Sequence, residues 1–431
     1  MNNWSWQAHK DKLYLLGSLI FFFLALAPLM AEASWSPSLK GNKFLPSLFF
    51  VVNKDTQNLF LFSNQSPLQE VWHLPCTTGQ VRGDKLREGD KKTPEGVYFL
   101  ESKLTQNLDY FLYGGVAFTL NYPNPIDRLK GKTGHGIWIH GRGQEIQAFN
   151  TQGCVAVNLK DIPLVEKHIV FAQTPVIITK NFSWAPGPEK DQEAQTLVKK
   201  IEAWAKNWRL KSKDFFSFYS SVAYIEGKKS FKSFQRQKER LFEAYPWIDV
   251  YLRDIKVVSG PDYKVTYFKQ YFRSPNLTST GIKRLYWQKQ GQEWKISGEE
   301  WRSLPSKELE EEYLQTRRGE ILNWLVRWVQ SWQKGDLESY IAFYDPQAKQ
   351  GNLIGRKKIY EHKQTLWQSD APKRVYLGNL EVTLHPRGFK VSGIQEYESL
   401  KGYKDRGVKK IILVPSGLEF KIWQEDWKKI K

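Results

Sequence analysis

Two stretches in the second half of the chain repeat one another. "GQEWKISGEEW" (Gly291 to Trp301) and "GLEFKIWQEDW" (Gly417 to Trp427) agree at Gly, Glu, Lys, Ile, Glu and Trp without a gap, at an offset of 126 residues. Tyr271 and Tyr397 keep that offset, and Phe218-Tyr219-Ser220 meets Phe343-Tyr344-Asp345 at an offset of 125. A duplication with this period requires two like units in series, each with its own face to bury. Each copy opens with aromatic residues at helical spacing: Trp204, Trp208, Phe215 and Tyr219 in one, Trp324, Trp328 and Trp332 in the other. Alternating runs follow, such as "KVTYFKQYF" from Lys264 and "FKVSGIQEY" from Phe389. Helices followed by a curved antiparallel sheet predict an α+β cone in each copy, over residues 196–303 and 318–431.

The part ahead of the repeat has a different texture. "SLFFVVNKDTQNLFLF" (Ser47 to Phe62) reads as a hairpin around a polar turn. A Gly- and Lys-rich loop, "GQVRGDKLREGDKKTPEG", leads into another strand. "GHGIWIHG" and "GCVAVNL" are short apolar strands, Asp161 is placed to cap a short helix, and "TPVIITK" (Thr174 to Lys180) closes the segment. These features predict a β-rich domain over residues 46–181. "NFSWAPGPEKDQEAQ" then turns to Pro, Gly and polar residues, so 182–195 reads as a linker. Two or three domains suit 431 residues.

The first residues bear on compartment. Lys10 and Lys12 precede an apolar run, Leu13 to Met30, and Ala31-Glu32-Ala33 offers a small-x-small cleavage site. This pattern predicts a secretory signal over residues 1–33, cut after Ala33, with an uncleaved membrane anchor as the alternative. Either way the remainder is expected outside the cytoplasm, in the periplasm or cell envelope. There the excess of 64 Lys and Arg over 45 Asp and Glu, +19 in all, points away from nucleic acid. It suits wall peptides with free carboxylates or an anionic membrane surface, and a solvated basic exterior would serve solubility alone. Cys76 and Cys154 are the two cysteines. In an oxidising compartment they are free to pair, although a chain of this size needs no staple.

"GIWIHGRGQEIQAFNTQGCVAVN" (Gly136 to Asn158) carries the candidate chemistry. A thiol near its ordinary pKa of about 8.5 is mostly protonated at neutral pH and needs a base or a positive charge to act as a nucleophile. His140 ends one strand, and the chain has room to return through a loop and set Cys154 beside it. Gly153 permits a sharp turn in which the amides of Gly153 and Cys154 would face a substrate carbonyl as an oxyanion hole. On residues alone, a Cys and a His on neighbouring strands are more often core residues than a catalytic pair.

The order of motifs resembles the L,D-transpeptidase family of the YkuD type, whose signature is His-Gly on a strand followed by Ser/Thr-His-Gly-Cys. His140-Gly141 match its first part; Thr151, Gly153 and Cys154 match three of the four positions in the second. "GDKKTPEGVY" (Gly89 to Tyr98) is similar to another family segment, and the likeness runs from about Ser47 to Lys180. Two positions depart from the pattern: Gln152 stands where a second histidine is usual, and Ala156 where Arg or Asn is frequent. The resemblance implies acyl transfer on peptidoglycan stem peptides. The sequence shows no metal-ligand cluster, phosphate loop or serine triad, so no cofactor or metal is expected. Cys154 would form a thioester, His140 would act as base, and the Gly141 carbonyl would orient the imidazole. Thr151, Gln152 and Arg142 would contact substrate, Arg142 as a substitute carboxylate clamp. Transpeptidation is the expected outcome; an L,D-carboxypeptidase trimming tetrapeptides to tripeptides and a non-catalytic wall-binding protein are the alternatives.

The repeated units resemble the nuclear transport factor 2-like (SnoaL-like) fold. The fold class expected is therefore multidomain, a β-rich L,D-transpeptidase catalytic domain followed by two α+β cone-like domains. Their expected work is binding, by docking on the wall or a membrane surface or by forming a homodimer. Glu299-Glu300 and Glu425-Asp426 repeat between the copies. Adjacent strand residues face opposite ways, so a solvated strand edge is expected there. His135 should be structural or on the surface, His168 should pack from a helix, Asp84 and Asp90 should serve turns, and Cys76 should be buried.

Overall fold

The computed structural model describes residues 34–65, 67–188, 191–227 and 229–430. The apolar run Leu13 to Met30 and the cleavage site expected after Ala33 lie outside them. No helix among the described residues is long and apolar enough to cross a membrane.

The first domain is a closed barrel. Its strands run in the spatial order Leu48–Asn53, Asn58–Asn64, Leu68–Thr77, Val155–Asn158, Trp138–Arg142, Ala117–Leu120, Gly96–Leu104 and Pro175–Thr179. The expected hairpin is its first pair, with Val51 opposite Phe60. Ile139, Val155 and Val157 share the barrel core with Phe50, Leu61 and Tyr98. By alternation the residues between them face outward. Asp161 precedes the short helix Ile162–Glu166, but it makes no capping bond, and its carboxylate instead accepts from Asn158 Nδ2 at 3.2 Å.

The stretch read as a linker is largely ordered. Ser183–Pro188 pairs in parallel with Ser38–Gly41, and Asp191 caps the helix Gln192–Arg209. Backbone bonding to the N-terminal strand, which composition does not reveal, accounts for the difference.

Both later units are cones of helices and sheet. The first wraps Gln192–Arg209 and Phe231–Ala244 against a sheet ordered Asp249–Ser259, Lys264–Ser274, Leu277–Gln290, Glu293–Ser303. The second packs Glu310–Gln333, Leu337–Ala342 and Arg356–Ser369 against a six-stranded sheet. Trp204 and Trp208 lie on the first long helix, whereas Phe215 sits on a separate turn, Lys213–Phe218, that Tyr219 terminates.

The repeated carboxylates are not on a solvated edge. Glu299 is 3% exposed, takes Lys283 Nζ at 2.6 Å and accepts from Tyr219 OH at 2.6 Å. Glu425 is its counterpart, with Lys409 Nζ at 2.5 Å and Tyr344 OH as partners. Helices close the concave face of each sheet, so a carboxylate facing that way must be paired to offset desolvation of several kcal/mol. Glu300 faces the other way, as alternation requires, and receives Arg284 Nη1 at 3.0 Å.

The repeat also slips by one residue on one strand. Lys283 lies opposite Phe268, and its counterpart Lys409 opposite Gly393. Tyr397 therefore corresponds to Phe272 and not to Tyr271, which packs on Tyr313 with ring centroids 4.6 Å apart. At Gly393 a Cβ would stand 2.6 Å from Leu380 Cδ2, so Leu380 occupies the space beside it. The second cone also holds a cavity of about 720 Å³ lined by Lys363, Gln395, Tyr397, Lys409 and Trp427.

The convex face of the first cone's sheet packs on the barrel. Arg284 reaches Glu101 at 2.5 Å and the Ala172 carbonyl at 2.7 Å. At Gly298 a Cβ would stand 2.3 Å from Pro125 Cβ, so only glycine allows this approach.

Candidate active site

Two parallel strands build the site. Ile139 faces Val155 and His140 faces Ala156. Continuing that register back one residue sets Cys154 beside Trp138. Trp138, His140, Cys154 and Ala156 then share the outer face of the barrel, with His140 and Cys154 diagonal neighbours.

The turn before the nucleophile is shaped by hydrogen bonds. Thr151 Oγ1 donates to the Cys154 carbonyl at 2.7 Å and accepts from the Gly153 amide at 3.1 Å. Gly153 adopts φ +134°, and a Cβ there would come 2.9 Å from the Lys92 carbonyl. Thr93 Oγ1 holds the Gly153 carbonyl at 2.9 Å. The Gly153 amide expected in an oxyanion hole is thus occupied by Thr151, which leaves the Cys154 amide from that pair. Thr151 itself is buried, and its hydroxyl is used within the turn.

His140 is 4% exposed, and its Nδ1 lies 2.6 Å from the Gly141 carbonyl. A carbonyl accepts only, so Nδ1 carries the proton and Nε2 is the basic nitrogen. Burial lowers the His140 pKa to about 4, with the Arg142 charge acting the same way and the Gly141 hydrogen bond opposing. Burial raises the Cys154 thiol to about 11, against a backbone hydrogen bond from Trp138 and the charge of Lys85. Both groups are therefore neutral near pH 7. The thiol points at the Gly136 carbonyl, 3.4 Å away.

The remaining expected residues fall in different places. Arg142 gives Nη1 to the Asn150 carbonyl at 2.7 Å and so ties down the loop between the two strands instead of standing free as a clamp. Gln152 is exposed at the turn, and Ala156 is buried opposite His140. Gly141 packs tightly, since a Cβ would lie 2.9 Å from Leu159 Cδ1. His135 is exposed and precedes the strand. His168 lies just beyond its helix, 6.0 Å from the Trp72 ring. Asp84 and Asp90 organise the Gly-rich loop: Asp90 accepts from the amides of Leu86, Arg87 and Lys92, and Asp84 takes Lys132. Cys76 is buried, and both cysteines are free thiols.

Sequence reading missed Tyr113. The helical turn Tyr110–Tyr113, capped by Asp109 and ended by Gly114 at φ +60°, packs on the histidine strand. It sets the Tyr113 ring edge-on to His140 at 5.0 Å and against Trp138 at 5.3 Å. Burial and the nearby Cys154 raise its phenol pKa. "DYFLYGG", an acidic cap, an aromatic run and two glycines, was the available signal. Beside it Tyr110, Phe111 and Leu112 form an exposed apolar rim.

Comparison with known proteins matches the barrel and both cones to known domains. Residues 48–178 match the family model for the L,D-transpeptidase catalytic domain (YkuD). Residues 196–300 and 320–426 each match the model for the Cds6 C-terminal NTF2-like domain. Among solved structures, Bd1075 of Bdellovibrio bacteriovorus is 28% identical over 62% of this chain and 98% of its own, with a TM-score of 0.50. The helical cell shape determining protein Pgp2 of Campylobacter jejuni is 25% identical over 59% of this chain and 91% of its own, with a TM-score of 0.48. No curated protein sequence matches the chain.

Proposed function

We propose that this chain, an L,D-transpeptidase catalytic domain followed by two nuclear transport factor 2-like domains, transfers acyl groups of peptidoglycan stem peptides through a thioester on Cys154. The observation that carries this reading is the His140 imidazole, held by Gly141 with Nε2 as its basic nitrogen, on the same face as the thiol.

In this reading Cys154 Sγ attacks the amide carbonyl after the third, L-configured residue of the stem while Nε2 takes its proton. A neutral imidazole beside a neutral thiol favours proton transfer during attack over a resting ion pair. The Cys154 amide faces the developing oxyanion. Collapse breaks the C–N bond, and the imidazolium returns its proton to the leaving amine of the terminal D-residue. In the second half Nε2 deprotonates the acceptor, which attacks the thioester and releases the thiol. An amine of another stem gives a cross-link; water gives a tripeptide. The N-terminal apolar run supports placing this chemistry outside the cytoplasm.

The test is incubation of the full chain, and of Cys154→Ala, with tetrapeptide muropeptides and mass analysis of the products. Dimers joined between third residues assign transpeptidation, tripeptides alone assign carboxypeptidation, and no product from either protein leaves only binding.

A further inference from the structure

A line of polar contacts, buried except at the half-buried Asp84, runs from the first cone to the nucleophile turn. It begins at Tyr263, a cone residue 4% exposed, whose hydroxyl accepts from the Val97 amide at 2.9 Å and Asn124 Nδ2 at 3.1 Å. Asn124 and Asp127 cap one helical turn reciprocally: Asn124 Oδ1 accepts from the Asp127 amide at 3.0 Å, and Asp127 Oδ2 accepts from the Asn124 amide at 3.1 Å. Asp127 pairs with Lys132 at 3.0 Å, and Lys132 reaches Asp84 at 2.5 Å. Asp84 accepts from the Glu95 amide at 2.7 Å, and Glu95 pairs with Lys54 at 3.0 Å. Lys54 also donates to the Thr93 carbonyl at 2.8 Å, and Thr93 Oγ1 holds the residue before the nucleophile.

Buried groups of this kind have few alternative partners, because leaving one unmade costs more than the bond itself contributes. Two glycines keep the line short. A Cβ on Gly96 would stand 2.8 Å from the Tyr263 hydroxyl, and one on Gly298 would collide with Pro125, the residue after Asn124.

We infer that Tyr263 is a positioning residue for Cys154, through which the first cone sets the geometry of the nucleophile turn. The cone is then part of the support of the site as well as an appendage for binding. Loosening the line admits water to a thiol whose reactivity burial suppresses, while spoiling the alignment that turnover needs. A contact that only stabilises the fold lowers kcat only once a sizeable fraction of the chain is unfolded, so a lower kcat in a variant still folded at the assay temperature separates positioning from stability.

The inference rests on the proposed chemistry only for its turnover readout. In the full chain, Tyr263→Phe, Thr93→Val and their double variant are compared for the rate of iodoacetamide alkylation of Cys154, followed by intact mass, and for kcat and KM on a tetrapeptide muropeptide. Lys130→Ala, which breaks the exposed Lys130–Asp262 pair (2.8 Å) at the same interface, is the control. Tyr263→Phe is expected to speed alkylation about threefold to tenfold and to lower kcat about as much, with KM within about twofold. The double variant should be no worse than the stronger single variant, and the control should match wild type. Unchanged alkylation and kcat with only a lower Tm, or losses that multiply in the double variant, would overturn the inference. Faster alkylation of Tyr263→Phe in a protein without turnover would support it while removing the proposed function.

Discussion

His140 holds the carbonyl of its own neighbour Gly141 at 2.6 Å through Nδ1, and that contact decides which ring nitrogen is basic. With Nε2 left as the base, His140→Ala should lower kcat by about 100- to 10,000-fold, the range for loss of a general base. Steady-state rates on a tetrapeptide muropeptide check this. A loss under about tenfold would mean that another group takes the thiol proton.

With the imidazole near 4 and the thiol near 11, neither group titrates between those limits. The rate of turnover should therefore be flat from about pH 5 to 9 and fall only as His140 is protonated in acid. Alkylation of Cys154 should instead keep rising with pH through neutrality, because thiolate accumulates only toward about 11. A plateau in alkylation at pH 7 would reveal a resting thiolate–imidazolium pair.

Burial is the first cause of the low His140 pKa, and the Tyr113 ring covers the imidazole at 5.0 Å. Tyr113→Ala should wet the ring and move the acid limb of the pH–rate profile upward from about 4 toward the ordinary 6.5. An unmoved limb would assign the desolvation to the strands alone.

Thr151 Oγ1 bridges the Cys154 carbonyl and the Gly153 amide. Thr151→Ser keeps the oxygen and should retain most activity. Thr151→Val removes it and should lower kcat by about tenfold or more, the cost of freeing the turn that presents the thiol. Equal activity of the two variants would remove the hydroxyl from the account.

Glu425 sits between two buried lysines, and its carboxyl pKa falls from 4.5 to about 2 despite burial, because Lys409 and Lys363 outweigh desolvation. The folded value lies below the unfolded one, so its contribution to stability is complete above about pH 4.5 and disappears as pH falls to about 2. Glu425→Gln should destabilise the chain by about 3–5 kcal/mol at pH 7, since it leaves buried cations unpaired. Urea unfolding at pH 7 and pH 3 checks this, and the difference between variant and wild type should be smaller at pH 3.

Much of the plan is written in local pattern. The duplication, the barrel hairpin and the order His140-Gly141, Thr151, Gly153, Cys154 are all contiguous motifs whose spacing survives folding. What eluded sequence reading depends on closure. Alternation tells that Glu299 and Glu300 face opposite ways, but not that helices seal the Glu299 side. A one-residue slip between the copies exchanges Phe268 for Gly393 and appears only in the strand register. The Gly153 amide, free in the sequence pattern, is occupied by the Thr151 side chain, a bond that depends on the exact shape of the turn. Tyr113 reaches His140 from a separate element, a relation that no spacing encodes.

Intact-mass analysis of the full chain, quenched in acid during reaction with a tetrapeptide muropeptide, tests the central claim most directly. The account predicts an adduct equal to the stem peptide less its terminal D-residue, located on Cys154, labile to hydroxylamine and absent from Cys154→Ala. Turnover with no adduct on Cys154, or equal turnover by Cys154→Ala, would contradict it.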